Sequence, residues 1–358
     1  MKRFLGLLIG ILVSVAAFAW SMQGTSREEL QAGFQQANYL TLPVMLLLLF
    51  GFYWLKAMRW SWLLAPVKPL STKQLMAPLL IGFAANNILP AHLGEFVRVF
   101  VVQRKHKVPA STVLSTVVLE RIFDVLAILA LFSLGLVFTK DLPDEYRNAA
   151  KFLGIASAGV VLCVVVFLIW TEQFVRFTMA VLNRLPFVPE GLSNKLLEML
   201  RSGAAGLQAL RNGKALVLIT ASSLAQWLLN GMIAYTALTA FHIPVTPAAG
   251  LIVTGVTALG VTVPSTPGYF GVIQGCFKIS MATLAVQPDP SLVLGSSLYY
   301  HLSMYIPVTL LGVYFLNSLG LSLRDLSHVA DDSDTSDRQI SDSRAEAVVN
   351  PYTPPQKV

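Results

Sequence analysis

An all-α, polytopic membrane fold follows from three features of the sequence. Hydrophobic residues make up 55% of the chain against 13% charged, far from the balance of a water-soluble domain. The apolar residues gather in runs of about 20, the length of helix that crosses a hydrocarbon core of about 30 Å. Lysines and arginines flank those runs in short loops, the bias that keeps basic loops in the cytoplasm. That placement accounts for the net charge of +7, so it implies no nucleic-acid partner.

Taken in order, six full spans are expected near residues 4–22, 41–62, 110–138, 152–170, 215–241 and 292–319. The first also fits a secretory signal, with MKR before the apolar run and an A-x-A site in AFAWS. A retained helix is expected, since nothing downstream has the character of a soluble secreted domain. Two further apolar regions, 75–102 and 248–286, are interrupted by Pro and Gly, so each is expected as two helical pieces joined by a bend, a re-entrant element. Cys163 and Cys276 lie in apolar segments without metal-ligand or redox spacing and read as packing residues.

Charge sets the orientation. Lys56, Arg59, Lys68 and Lys73, then Arg98, Arg104, Lys105 and Lys107, place the loops around the second span and the first broken region in the cytoplasm. The connector 140–151 carries no net charge and fits the outer face. The basic connector 171–214 returns inside, with Leu196, Leu197, Leu200, Leu207 and Leu210 at helical spacing. An interfacial helix on the inner leaflet and a small helical hairpin satisfy that pattern equally. Residues 1–323 thus form one transmembrane unit. Residues 324–358, rich in Asp, Ser and Pro, are expected to be a disordered cytoplasmic tail.

The broken regions share a pattern: Pro90, Gly94 and Phe96 align with Pro264, Gly268 and Phe270 as P-x-x-x-G-x-F. Charge counting has the two bends entered from opposite sides, so an inverted repeat is expected. Paired Pro/Gly interruptions point to a transporter's midplane site. A helix broken within a membrane frees amides and carbonyls that need protein, water or substrate as partners, and its N-terminal N–H groups suit an anion.

Asn86, Asn87, Glu95 and Arg98 gather at the first bend. The third span carries Glu120, Arg121 and Asp124 ten to fourteen residues from its cytoplasmic end, about 15–20 Å deep at 1.5 Å per residue. Each such charge at mid-membrane costs about 2.5–3.5 kcal/mol on insertion scales, so all three need partners. Arg121 and Asp124 are spaced for an i,i+3 pair, as are Glu95 and Arg98. That leaves one acid for Arg98 or a ligand. A buried structural ion network is the plain alternative. Thr112, Ser115 and Thr116 continue the polar surface toward the cytoplasm and favour a wet groove. His92 alone reads as a hydrogen-bonded structural group. Lys278 either snorkels to an interface or faces the cavity, and Gly271 and Gly275 form a G-x-x-x-G step for close helix packing. There is no nucleophile elbow, Walker loop, H-E-x-x-H or Asp-rich diphosphate motif, so no catalytic residue, metal or cofactor is assigned.

Three motifs in this order, N-x-x-P-x-x-x-G-E-x-x-R from Asn87 to Arg98, E-R-x-x-D from Glu120 to Asp124, and P-x-x-P-G-x-x-G from Pro264 to Gly271, resemble the transmembrane domain of the lysylphosphatidylglycerol synthase, flippase-like, family. The resemblance covers about residues 1–323. It implies a polytopic protein of the bacterial inner membrane, related to domains that move aminoacylated phosphatidylglycerol between leaflets. The bifunctional relatives carry a soluble aminoacyl-transferase domain after the membrane part, so synthase activity is not expected here. Other members accompany glycosyltransferases, where a polyprenyl-linked glycolipid and a separate lipid-modifying enzyme would be the partners.

The functional expectation is a lipid translocase whose polar groove admits an anionic or zwitterionic headgroup. Asn86, Asn87, Pro90, Gly94, Glu95, Arg98, Glu120, Arg121, Asp124, Pro264, Pro267, Gly268 and Lys278 are its candidate residues, with Arg98 and Arg121 as phosphate partners. The rival is an intramembrane enzyme or accessory factor acting on a lipid carrier, with Glu95 or Glu120 as general base.

Overall fold

The structure, a computed structural model, describes residues 2–89, 93–139, 213–263, 265–284 and 286–321, with isolated positions 148, 152, 155 and 159. The expected span at 152–170, the connector 171–214 and the tail lie outside these residues. Ten α-helices and two short 3-10 turns, without strands, make up the described residues. In chain order they are α1 (Lys2–Ser21), α2 (Arg27–Gln36), α3 (Leu42–Leu64), α4 (Thr72–Ile88), α5 (Gly94–His106), α6 (Ala110–Phe138), α7 (Gly213–Ala240), α8 (Pro247–Gly260), α9 (Val272–Thr283) and α10 (Pro290–Ser318).

Among the described residues, three segments are long and apolar enough to cross a membrane: Tyr39–Leu64, Ala110–Phe138 and Gly213–Ala240. Helix α10 has a comparable length and buries Ser291, Ser296, Ser297, His301 and Ser303 within the bundle. Helix α2 lies between two expected spans and was not anticipated. Its start is legible in hindsight, because Ser26 and Glu29 form a capping box.

Both broken regions are pairs of helices. The first ends at Leu89, whose extended φ/ψ of −95°/146° is what a following proline imposes. Helix α5 then folds back on α4 so closely that a Cβ on Gly94 would collide with the carbonyl oxygen of Gly82. The second break runs from Val261 to Gly271, with Gly268 at φ 77° and Gly271 at φ 86°, conformations that glycine adopts without a Cβ penalty.

The expected close packing at the G-x-x-x-G step is present. Helix α1 lies against α9, with the Ser14 carbonyl filling the space over Gly271 and Trp20 and Ala17 near Gly275. At the other end of this contact Ser14 Oγ is 2.9 Å from Thr266 Oγ1 and accepts from the Thr266 N–H. In a background lacking Cys163 and Cys276, Ser14→Cys with Thr266→Cys should therefore close a disulfide under mild oxidation. Thiol alkylation followed by mass measurement reads it out: two free thiols would mean that α1 is undocked, and a single thiol on a shortened chain that α1 has been removed.

The core lies where α3 packs on α7 and α4 on α10, with α8 bridging α6 and α7. Trp60, Phe241 and Phe277 are fully enclosed there. At one end Lys68 donates to the His106 carbonyl at 2.6 Å, so the basic loop after α3 meets the basic end of α5.

Candidate functional site

Inside this helix bundle five charged side chains meet. Helix α6 supplies Glu120 and Asp124, one turn apart on one face; α3 supplies Lys56 and Arg59, and α5 supplies Arg98. All five are at least 97% buried. Asp124 Oδ2 takes Lys56 Nζ at 2.8 Å. Its Oδ1 accepts from Arg59 at 2.8 Å, Gln226 at 2.7 Å and the Trp227 indole at 2.9 Å. Glu120 lies 3.1 Å from Arg98 Nη1, 3.2 Å from Lys56 and 3.5 Å from Arg59. Three cations thus face two carboxylates, leaving one positive charge in excess.

The arrangement corrects several expectations. Lys56 and Arg59, read as loop residues of the cytoplasmic face, are interior; their i,i+3 spacing within α3 turns both toward α6. Glu95 and Arg98 do not pair with each other. Arg98 reaches Glu120, while Glu95 binds Arg121 at 2.7 Å in a partly exposed pair. Arg121 stands only 3.9 Å from Asp124, so the local i,i+3 pair is the weakest contact of the set. Of Thr112, Ser115 and Thr116, Thr112 and Thr116 are buried and Ser115 is partly buried. Ser115 and Thr116 donate to carbonyls three residues back, and Thr116 also accepts from the Trp60 indole.

The first bend serves mainly to place α5. Asn86 Oδ1 accepts the Gly94 N–H at 2.7 Å and so satisfies a free amide at the start of that helix. Asn87 turns the other way, donating to Thr309 at 2.9 Å, while its carbonyl accepts from the Tyr305 hydroxyl at 3.3 Å. The second bend arrives at the same place: Gly268 packs against Tyr305 with the Asn87 carbonyl nearby. Next to it, Tyr269 holds a left-handed φ of 61° and lies within the fields of Arg121 and Glu95. Such strain in a non-glycine residue needs surrounding structure to hold it. The two breaks therefore meet, with Pro267 in the turn between them; Pro90, His92 and Pro264 lie outside the described residues. Lys278 is elsewhere. It donates to the Trp20 and Gln23 carbonyls at the end of α1 and sits 4.9 Å over the Trp20 ring.

The excess charge comes with unused donors. Among the described residues, Arg59 Nε and Nε and Nη2 of Arg98 are buried without a hydrogen-bond partner, and Arg59 Nη2 has only the 3.5 Å ion-pair contact with Glu120. Beside them, Arg98 stacks 4.8 Å over Trp60, and Lys56 Nζ lies 5.7–5.9 Å from the Phe52, Phe83 and Trp227 rings. Buried N–H groups are costly to leave unpaired, so the cluster is suited to receive an anion. Phe52, Phe83 and Trp227 also line a cavity of about 190 Å³, together with Tyr269, Tyr300 and His301.

The same helices define the chain's kinship. The family described as "Lysylphosphatidylglycerol synthase TM region" matches residues 7–312. The chain belongs to this family. As a member it is 26% identical over 230 residues to a UPF0104 membrane protein of Methanocaldococcus jannaschii, covering 63% of this chain and 90% of the relative. It is also 24% identical over 306 residues to the glycosyltransferase AglD of Haloferax volcanii, covering 75% of this chain but only 47% of that protein. No solved structure matches. The motif residues Arg98, Glu120 and Asp124 stand in the buried cluster of this family member, whereas Lys56, Arg59, Gln226, Trp227 and Ser223, whose hydroxyl accepts from Arg59 Nη1 at 2.7 Å, were missed. Their signal was present as polar residues at helical spacing in apolar spans, Lys56 with Arg59 in α3 and Ser223, Gln226 and Asn230 in α7.

Proposed function

We propose that the protein is a lipid translocase of the cytoplasmic membrane that carries an anionic phospholipid headgroup past the cluster of Lys56, Arg59, Arg98, Glu120 and Asp124. The observation behind this reading is the buried excess positive charge with unpaired guanidinium N–H groups. A phosphate would complete it, supplying both the missing charge and the missing acceptors. The meeting of two helix breaks beside the cluster supports a crossing point of inverted-repeat type. Arg121 and Glu95 form the outer pair, exchanging each other for headgroup and water as the site opens. The basic loops gathered at one end support a cytoplasmic placement of that end.

An accessory role in glycosyl transfer is favoured by one observation, the likeness to about half of a protein named a glycosyltransferase. Against chemistry at this site, Glu120 and Asp124 each hold several cationic or N–H donors, and a carboxylate so occupied is a poor general base.

Arg98→Met tests the proposal. Glu120 keeps Lys56 and Arg59, and the remaining buried charges balance, so the variant should fold with little loss of stability. It should lose acceleration of acyl-labelled phosphatidylglycerol movement in proteoliposomes, a dithionite-quenching measurement, and the lipid recovered should have unchanged mass. Native-rate movement by Arg98→Met, or a lipid of altered mass, would overturn the translocase reading.

A further inference from the structure

The 190 Å³ cavity beyond Trp227 differs in chemistry from the ion cluster it adjoins. No Asp, Glu, Lys or Arg lines it among the described residues. Its walls are largely aromatic, with Trp227, Tyr269, Tyr300 and Tyr305 among them. Between those rings stand neutral hydrogen-bonding groups that are poorly engaged. Thr257, 7% exposed, has a buried hydroxyl without a partner among the described residues. The Asn230 Nδ2, 5% exposed, donates among the described residues only to the Met304 sulfur at 4.0 Å, a weak acceptor, while its Oδ1 accepts from the Tyr300 hydroxyl at 3.1 Å and Thr254 at 3.3 Å.

These features select a ligand class. A charged group would be desolvated there without a counter-charge. An acyl chain would leave the Thr257 hydroxyl and the Asn230 amide unsatisfied. A hydroxyl-bearing six-membered ring fits both demands, since its C–H faces lie against aromatic rings while its rim hydroxyls reach Thr257 and Asn230. The volume also suits one small ring, being below the roughly 300–1,000 Å³ of drug-sized pockets. Trp227 joins the two sites, because its indole N–H binds Asp124 while its ring faces the cavity.

We infer that this cavity is a subsite for a neutral polyhydroxylated ring, a sugar or cyclitol, carried by the lipid whose phosphate binds the adjoining arginines. The inference rests on the anionic-headgroup reading above and narrows its substrate class to ring-bearing phospholipids. The two are separable, because phosphate and ring are held by different residues.

The test compares two probes of equal charge and identical acyl chains, phosphatidylinositol and phosphatidylmethanol, binding to the purified full chain in detergent by native mass spectrometry. Phosphatidylinositol should bind about tenfold more tightly, the worth of one added hydrogen bond of about 1.4 kcal/mol. Thr257→Val removes an unpartnered hydroxyl and is not expected to unfold the protein; Ala258→Leu fills the cavity from its wall. Thr257→Val should lower the phosphatidylinositol preference, and Ala258→Leu, which excludes the ring, should bring phosphatidylinositol to the level of phosphatidylmethanol; both should leave the latter unchanged. Equal binding of both lipids by the native chain, or a preference that survives both substitutions, overturns the ring subsite while the phosphate reading stands. Phosphatidylmethanol binding that is absent, or indifferent to Arg98→Met, overturns the phosphate reading. Free myo-inositol binding as tightly as phosphatidylinositol would assign the cavity to a soluble polyol and overturn its role as a headgroup site.

Discussion

Asp124→Leu is expected to lower stability by about 3–5 kcal/mol, the cost of stranding buried charge, and to be the most damaging single change in the cluster. One carboxylate takes Lys56, Arg59, Gln226 and Trp227, so its loss leaves two cations and two neutral donors facing an apolar side chain. Adding Lys56→Met should recover most of the loss, because Arg59 retains Glu120 at 3.5 Å. Arg121→Leu should cost far less, since Arg121 is 40% exposed and 3.9 Å from Asp124. Thermal unfolding in detergent of the two single variants and the Lys56/Asp124 double variant checks the ordering. An Asp124→Leu protein as stable as Arg121→Leu would mean that the carboxylate does not hold α3, α6 and α7 together.

Gly94→Ala should be the next most disruptive, by about 1–3 kcal/mol or more for overpacking a site that cannot yield. The added methyl would occupy the space of the Gly82 carbonyl and approach Asn86 Oδ1 at 2.6 Å. Both neighbours are fixed, one as helix backbone and the other as the acceptor of the Gly94 N–H. Helix α5 would have to move away from α4, carrying Arg98 from Glu120 and Glu95 from Arg121. Reduced yield of monodisperse protein and a lower unfolding temperature are the expected results. Native stability in Gly94→Ala would show that α5 is not seated on α4 at this glycine.

The charges at the site illustrate how far local spacing reaches. An i,i+3 or i,i+4 relation states which side chains share a helix face, and Glu120 and Asp124, at i,i+4, do share one. It also suggested Arg121 with Asp124 and Glu95 with Arg98, and there the tertiary structure differs. A neighbour on a second helix approaches a carboxylate head-on, whereas a residue on the same helix must bend along the surface. Glu95 therefore goes to Arg121 and Arg98 to Glu120, each across the α5–α6 contact.

By itself the sequence determined that this is a helical membrane protein, where the first bend lies, that the G-x-x-x-G step is a packing surface, and that the motifs from Asn87 to Arg98, Glu120 to Asp124 and Pro264 to Gly271 belong to a known family. Those features are local: apolar run length, proline and glycine backbone limits, and residue order. Only the tertiary structure decided that Lys56 and Arg59 are interior, that Gln226 and Trp227 complete Asp124, that Lys278 holds the end of α1 instead of joining the site, and that the two breaks meet at Asn87 and Gly268. The physical reason is that a buried charge is satisfied by whichever donors or acceptors the packing of distant helices brings within about 3 Å, and a pattern of 3.6-residue periodicity names the face of a helix without naming what it will face.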